Sequence, residues 1–163
     1  MKGIVHVRID DRLIHGQVAC IWSTSLGVNR IMVANDEVAN NEMQKNVLRM
    51  VAPAGINTSI ISKDKAVNNI LAGNYQTQKV LMILKNPLDA LYLIEHGLDI
   101  KEINVGNMAK RDNTVQIKRS VSVTKEEAAA FRKLIDKGVK ITSIMVPDES
   151  KTYIKDYLDK AGL

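Results

Sequence analysis

Residues 4–27 read IVHVRIDDRLIHGQVACIWSTSLG, and this stretch decides the fold. Ile4-Val-His-Val-Arg-Ile9 is short, rich in β-branched residues and bounded by Asp10-Asp11, so it reads as a buried strand. Val18, Ile21, Trp22 and Leu26 follow at i, i+3, i+4 and i+8, which is one face of a helix. Gly27 stands where a helix stops. A strand that turns directly into a helix opens a strand–helix–strand unit, and helical connections imply parallel strands.

The alternation continues along the chain. Arg30–Ala34 reads as a second strand. Met43, Val47, Met50 and Val51 form a helix face closed by Pro53 and Gly55. Thr58–Ile61 is strand-like, and Ala66, Val67, Ile70 and Leu71 lie on a helix ending near Gly73. Lys79–Leu84 is a strand, followed by Asn86-Pro87, an N-cap and first-turn proline for a helix closed by His96-Gly97. Glu102–Val105 and Arg119–Val123 read as strands. Thr124 and Glu127 form a capping box for a helix ending at Gly138. Lys140–Val146 reads as the last strand, and Pro147-Asp148 as the opening of a final helix. No helix separates the strands that flank the Gly106–Lys118 loop, which permits one antiparallel strand near an edge. The expected fold is an open, doubly wound, mostly parallel α/β sheet of about seven strands with helices on both faces. Residues 1–163 read as one domain.

Composition narrows the function. The chain has 163 residues, 45 % hydrophobic and 25 % charged, ordinary for a globular domain. No apolar run approaches the roughly 20 residues of a membrane helix. The opening MKGIVHVRIDD reaches acidic residues too soon for a signal peptide. The single cysteine, Cys20, allows no internal disulfide and reads as a core residue of a reduced compartment. A net charge of +5 suits anionic partners. There is no basic run, and only one Phe and one Trp are available for base stacking, which argues against nucleic acid.

In doubly wound sheets, chemistry sits beyond the carboxyl ends of the strands. There the first strand places Arg8, Asp10, Asp11, Arg12 and His15 just before a helix. Each has a use in phosphoryl transfer. A neutral imidazole is a nucleophile near neutral pH. Free backbone N–H groups at the helix start, from Gly16 and Gln17, point at an incoming anion, and Gly16 has no side chain to block it. Arginine forks such as Arg8 and Arg12 bind phosphate oxygens in pairs. Asp10 or Asp11 can hold the imidazole tautomer or orient an arginine. The plainer reading is a solvated histidine among surface ion pairs. No phosphate-loop glycine pattern, metal-ligand cluster or serine elbow competes. His6 reads as a partly buried strand residue, His96 as a helix-end cation and Trp22 as packing. Asn35-Asp36 and Gly106-Asn107 end strands on the same side and are candidates for supporting or docking roles.

Arg8-Ile-Asp-Asp-Arg-Leu-Ile-His-Gly-Gln-Val18, with Trp22 downstream, closely resembles the active-site loop of the enzyme IIB subunits of the mannose/fructose/sorbose family of the bacterial sugar phosphotransferase system. Val33-Ala-Asn-Asp-Glu-Val38, Ala52-Pro53, Ile103-Asn-Val-Gly-Asn-Met108 and Ser120-Val-Ser-Val123 resemble later segments of that family in the expected order. The resemblance implies that His15 takes a phosphoryl group from enzyme IIA, by the family pattern on Nδ1. It would pass the group to a sugar held by the membrane IIC/IID transporter. Arg8 and Arg12 match the family's phosphate-binding arginines, and Asp10 and Asp11 its loop carboxylates. No cofactor or metal is implied beyond the transient phosphoryl group. The implied location is cytoplasmic, at the inner face of the membrane through the transporter. Many members read Gly-Gly-Met where this chain has Gly106-Asn107-Met108, a form that resembles the N-acetylgalactosamine or galactosamine branch. The sugar and the oligomeric state, a homo-oligomer included, stay open. So does a second reading, in which the same helix start binds an anion without covalent chemistry.

Overall fold

The computed structural model describes residues 1–163. Its centre is a six-stranded parallel sheet in the order β3-β2-β4-β1-β5-β8. The strands are β1 (Ile4–Asp10), β2 (Arg30–Ala34), β3 (Asn57–Ile61), β4 (Val80–Leu84), β5 (Glu102–Asn107) and β8 (Lys140–Ser143). β4 is buried along its whole length, as an interior parallel strand covered on both faces must be. Its side chains divide with period two. Leu81 and Ile83 join Ile31, Val33 and Trp22 under α1 (Gly16–Leu26) and α3 (Glu42–Val51). Met82 and Leu84 join Val7, Ile9 and Val105 under the opposite layer. That layer comprises α4 (Lys63–Leu71), α5 (Pro87–Glu95), α6 (Lys125–Asp136) and α7 (Ile154–Ala161).

The strand order fixes where a site can form. From β1 the chain leaves toward β2 and β3, whereas from β5 it leaves toward β8. β1 and β5 are therefore adjacent strands whose connections diverge, and a crevice opens beyond their carboxyl ends. The His15 loop follows β1 at that end.

Four local expectations are corrected. The antiparallel element is not an edge strand of the main sheet. β6 (Val115–Lys118) and β7 (Val121–Val123) form their own two-stranded sheet, which brings the total to eight. β8 already occupies the place beside β5, and the ribbon is tied on through Met108, which pairs with Val121. The last strand ends at Ser143, and α7 begins at Ile154 rather than at Pro147. The chain first doubles back along β8, where Ser143 donates its N–H to the Thr152 carbonyl at 2.7 Å. Cys20 is exposed, not core. In α3, Leu48 is the one buried residue, and the apolar face drawn from Met43, Val47, Met50 and Val51 lies outside. The short α2 (Asp36–Ala39) had no periodic signal in the sequence.

Candidate active site

The loop after β1 is held by apolar anchors and a strained turn. Leu13 has φ +62°, a left-handed conformation that costs a side-chain-bearing residue about 1–2 kcal/mol. Its N–H donates to the Asp10 carbonyl at 2.9 Å, closing the turn. The Leu13 and Ile14 side chains are buried in the cluster that contains Trp22 and Val33. Strain of this kind persists where surrounding packing over-determines it, and it concentrates at functional sites. The inward pair leaves Arg12 partly exposed and His15 exposed at the first turn of α1.

That helix start differs from every other in the chain. His15 is its N-cap, in an extended conformation, and its side chain caps nothing. The first turn of α1 holds no acidic residue, whereas α2 to α7 each hold one or more. Helices α2 to α6 also have a side-chain cap. The first amides of α1, from the exposed Gly16 and Gln17, are thus left without cap or counter-charge. A Cβ built on Gly16 meets nothing within 4 Å, so access is open.

Behind the loop lies a buried ionic cluster. Asp10 and Arg8 are each 2 % exposed. One Asp10 oxygen accepts from the Arg12 backbone N–H at 3.1 Å and from Arg12 Nε at 2.9 Å. The other accepts from Arg12 Nη2 at 2.8 Å and from Arg8 Nη2 at 3.2 Å. Arg12 is gripped as a fork, and its hydrogen bonds to Asp10 raise its pKa above the ordinary value. Arg8 is shifted the other way, because burial disfavours its charge more than Asp10 restores it. Neither Asp10 nor Asp11 hydrogen-bonds the His15 ring. Asp11 instead accepts from Asn107 Nδ2 at 2.8 Å and from the Ala109 N–H at 2.7 Å, clamping the β5 exit to the loop.

Two residues that sequence reasoning missed position Arg8. Asn104 stands opposite Arg8 in the β1–β5 register, and Arg8 Nη1 donates to its side-chain oxygen and to the Ile144 carbonyl at 3.3 Å. The sulfur of Met145 lies 3.7 Å from Arg8 Nη2 and 3.6 Å from Arg12 Nη2. Alternation in Asn104-Val105-Gly106 was a usable signal for Asn104, but only once β5 was known to pair with β1; Met145 had none. Gly106 has its own reason. A Cβ there would lie 1.9 Å from Arg8 Nη2, and the β1–β5 register slips at this point. Asn35 and Asp36 make no hydrogen bond to the loop. Asn35 caps α2 and donates to Asp89 at 3.2 Å, and Asp36 accepts from the Lys63 N–H at 2.8 Å.

The family model for the sorbose-subfamily IIB component of the PTS matches residues 4–163. The chain belongs to this family. IIB components of the sugar phosphotransferase system are sugar phosphotransferases, consistent with the uncapped helix start described above. The chain is 41 % identical over 149 residues to the N-acetylgalactosamine-specific phosphotransferase enzyme IIB component 2 of Escherichia coli (strain K12), covering 91 % of this chain and 94 % of the relative. It is 37 % identical over 153 residues to the mannose-specific EIIAB component of the same strain, covering 94 % of this chain and 47 % of that longer relative. Among solved structures, the IIBSor domain of the sorbose permease from Klebsiella pneumoniae superposes with a TM-score of 0.93 at 36 % identity, with 98 % of each chain covered. The IIB fold expected from the sequence is therefore the fold observed.

Proposed function

We propose that residues 1–163 act as one IIB domain, a phosphohistidine carrier that takes a phosphoryl group from enzyme IIA on His15 and passes it to a sugar. In the first step a lone pair of the His15 ring attacks phosphorus while the bond to the IIA histidine breaks. In the second a sugar hydroxyl, held by the IIC/IID transporter, attacks phosphorus and gives up its proton to a base on the transporter or to water, while the bond from phosphorus to His15 breaks and its electron pair returns to the neutral ring. The carrier works in the cytoplasm at the inner face of the membrane. No helix here is long and apolar enough to cross a membrane, and the transporter would supply that step. The phosphoryl group needs no resident cofactor.

The observation that carries this reading is the start of α1, where an exposed histidine adjoins uncapped amides and the first turn holds no acidic residue. Amides so placed stabilise an anion, and more so as charge develops in transfer. Arg12 lies three residues before His15, partly exposed, with its fork fixed by Asp10 and its Nη1 group without a hydrogen-bond partner in the protein. Arg8 is enclosed, so its role is to hold Asp10, and through it Arg12, in place. The EIIAB name of the mannose relative, which joins A and B in one chain, supports IIA as the donor. The sorbose, mannose and N-acetylgalactosamine names of comparably similar relatives leave the sugar open.

The test is incubation with phosphorylated IIA, then with transporter vesicles and sugar. An acid-labile, base-stable phosphoryl group should appear on the chain and then be discharged. A chain that binds phosphate reversibly but forms no such adduct is an anion-binding module instead.

A further inference from the structure

Besides Asp10, one side chain meets both arginines behind the loop, that of Met145. Its sulfur lies 3.7 Å from Arg8 Nη2 and 3.6 Å from Arg12 Nη2. Of the seven methionines, it alone has its sulfur in hydrogen-bond contact with a charged group. Both backbone groups of Met145 are pinned. Its carbonyl accepts from Trp22 Nε1 at 2.9 Å, and its N–H donates to Glu149 Oε2 at 3.3 Å. The residue is half-buried, and a groove of about 440 Å³ lined by Asn107, Lys118, Arg119 and Glu149 opens onto it. Met32, Met82 and Met108 are sealed in the core, whereas Met43 and Met50 stand exposed on α3 with no charged group on their sulfurs. A thioether is a weak acceptor, and it is also the part of methionine that small oxidants attack. Met145 is thus reachable by a small polar oxidant and set against the very guanidinium that the site uses.

We propose that Met145 is a reversible oxidation site whose sulfoxide captures Arg12 and slows phosphoryl transfer; this rests on the reading of Arg12 as a phosphate-binding group given above. The oxidant is a hydroperoxide, hydrogen peroxide in the simplest case. A lone pair of the sulfur attacks one peroxide oxygen, the O–O bond breaks, and hydroxide departs. The proton on the transferred oxygen passes to that hydroxide, so the products are the sulfoxide and water. Sulfur is oxidised by two electrons and the peroxide is reduced by the same two. A strong acceptor now replaces a weak one, on a sulfur already 3.6 Å from Arg12 Nη2. A hydrogen bond from a charged donor is roughly twice as strong as a neutral one. Arg12, rather than Arg8, is the group captured. Arg8 is 2 % exposed, with Nη1 committed to Asn104 and to the Ile144 carbonyl. The Arg12 side chain is 29 % exposed, and its Nη1 group has no hydrogen-bond partner in the protein. That free donor is the one a phosphoryl oxygen would use, so sulfoxide and phosphoryl group compete for it. Reductases specific for each sulfoxide epimer restore the thioether, which makes the block reversible.

The experiment treats the full chain with hydrogen peroxide. Peptide mass locates the added oxygen, rapid-quench kinetics follows transfer from phosphorylated IIA, and NMR follows the Arg12 Nε–H signal. Every sample carries Cys20→Ser, Met43→Leu and Met50→Leu, which removes the exposed competitors. Each protein is compared with its own untreated sample, so the baseline of Met145→Leu does not enter. In the protein that keeps Met145, one oxygen should be gained there, the Arg12 signal should shift, and transfer should slow about tenfold or more. Methionine sulfoxide reductases A and B with dithiothreitol should restore both signal and rate, a control that holds even if Met145→Leu folds poorly. In Met145→Leu the same treatment should move neither. A Met145 that stays unoxidised, an Arg12 signal that does not move, or slowing that is equal in Met145→Leu overturns the proposal. So does slowing that the reductases fail to reverse. Oxidation with a shifted Arg12 signal but an unchanged rate also overturns it, and leaves the carrier reading intact. If the untreated chain takes no phosphoryl group, the carrier reading has failed, and peptide mass and the Arg12 signal still decide whether the sulfoxide forms and holds Arg12.

Discussion

In Asp10→Asn the carboxylate that Arg8 and Arg12 share becomes a neutral amide. The contacts that lose their negative partner are Arg8 Nη2 at 3.2 Å, Arg12 Nη2 at 2.8 Å and Arg12 Nε at 2.9 Å, and the amide keeps only one accepting oxygen for them. Arg8 decides the magnitude. It and Asp10 are both 2 % exposed, so the substitution leaves a guanidinium buried without a counter-ion, a change that costs about 3–5 kcal/mol. Arg12 adds little, because its side chain is 29 % exposed and water screens it. In a chain of this length each kcal/mol moves the midpoint by about 2–4 °C, so Tm should fall by about 6–20 °C. Urea unfolding at neutral pH measures the loss directly. Adding Arg8→Met to Asp10→Asn removes the stranded charge, so the double variant should regain part of the lost stability. A single-variant loss below about 1 kcal/mol, or losses that simply add, would refute the claim that the pair is buried and coupled.

Further outcomes follow from the same geometry. The His6 ring stacks on Trp22 at 4.7 Å, and burial first, then the charge of Arg8, depress its pKa from 6.5 to about 4. The unfolded chain therefore binds this proton first as pH falls. The contribution is complete above about pH 6.5 and is lost between there and about pH 4, approaching about 3 kcal/mol. His6→Phe keeps an aromatic ring on Trp22 and should flatten that part of the urea-stability profile; an unchanged profile removes His6 as its source. Gly106→Ala puts a methyl group 1.9 Å from Arg8 Nη2, and the guanidinium has no room to retreat. A loss of about 1–3 kcal/mol in urea unfolding is expected, with slower phosphoryl acceptance, and wild-type values for both would contradict the packing argument. Arg12→Ala should slow transfer from IIA about a hundredfold in rapid-quench kinetics, and Arg12→Lys should recover only part because it lacks the fork. Transfer at the normal rate would leave Arg12 a structural partner of Asp10.

The parallel architecture was legible because β1, β2 and β4 carry clean apolar runs, and because Gly27, Asn86-Pro87 and the Thr124–Glu127 capping box mark helix ends. The antiparallel ribbon was half legible. Val121 and Val123 are buried and read as a strand, but Val115-Gln-Ile-Lys118 is a short, largely solvent-facing segment with little apolar signal. The α3 stripe read as core because periodicity reports that a face avoids water, not which molecule covers it. Pro147-Asp148 looked like a helix start, and the pairing of Thr142 with Tyr153 delays it through a contact that propensity cannot anticipate. At the candidate site, Arg8, Asp10, Arg12 and His15 stood together in one sequence segment. Their division of labour did not: whether an arginine faces solvent or lies under Trp22 depends on burial. Asn104 is 96 residues from its partner Arg8, and no local pattern joins them.

The central claim is that the exposed ring of His15, and no other nucleophile, carries the phosphoryl group. The direct measurement is NMR of the chain with nitrogen-labelled histidine after reaction with phosphorylated IIA, reading which ring nitrogen couples to phosphorus. Coupling is expected at the His15 ring, with unperturbed signals for His6 and His96 and no adduct in His15→Ala. Coupling at another histidine, or an adduct that persists in His15→Ala, would contradict it.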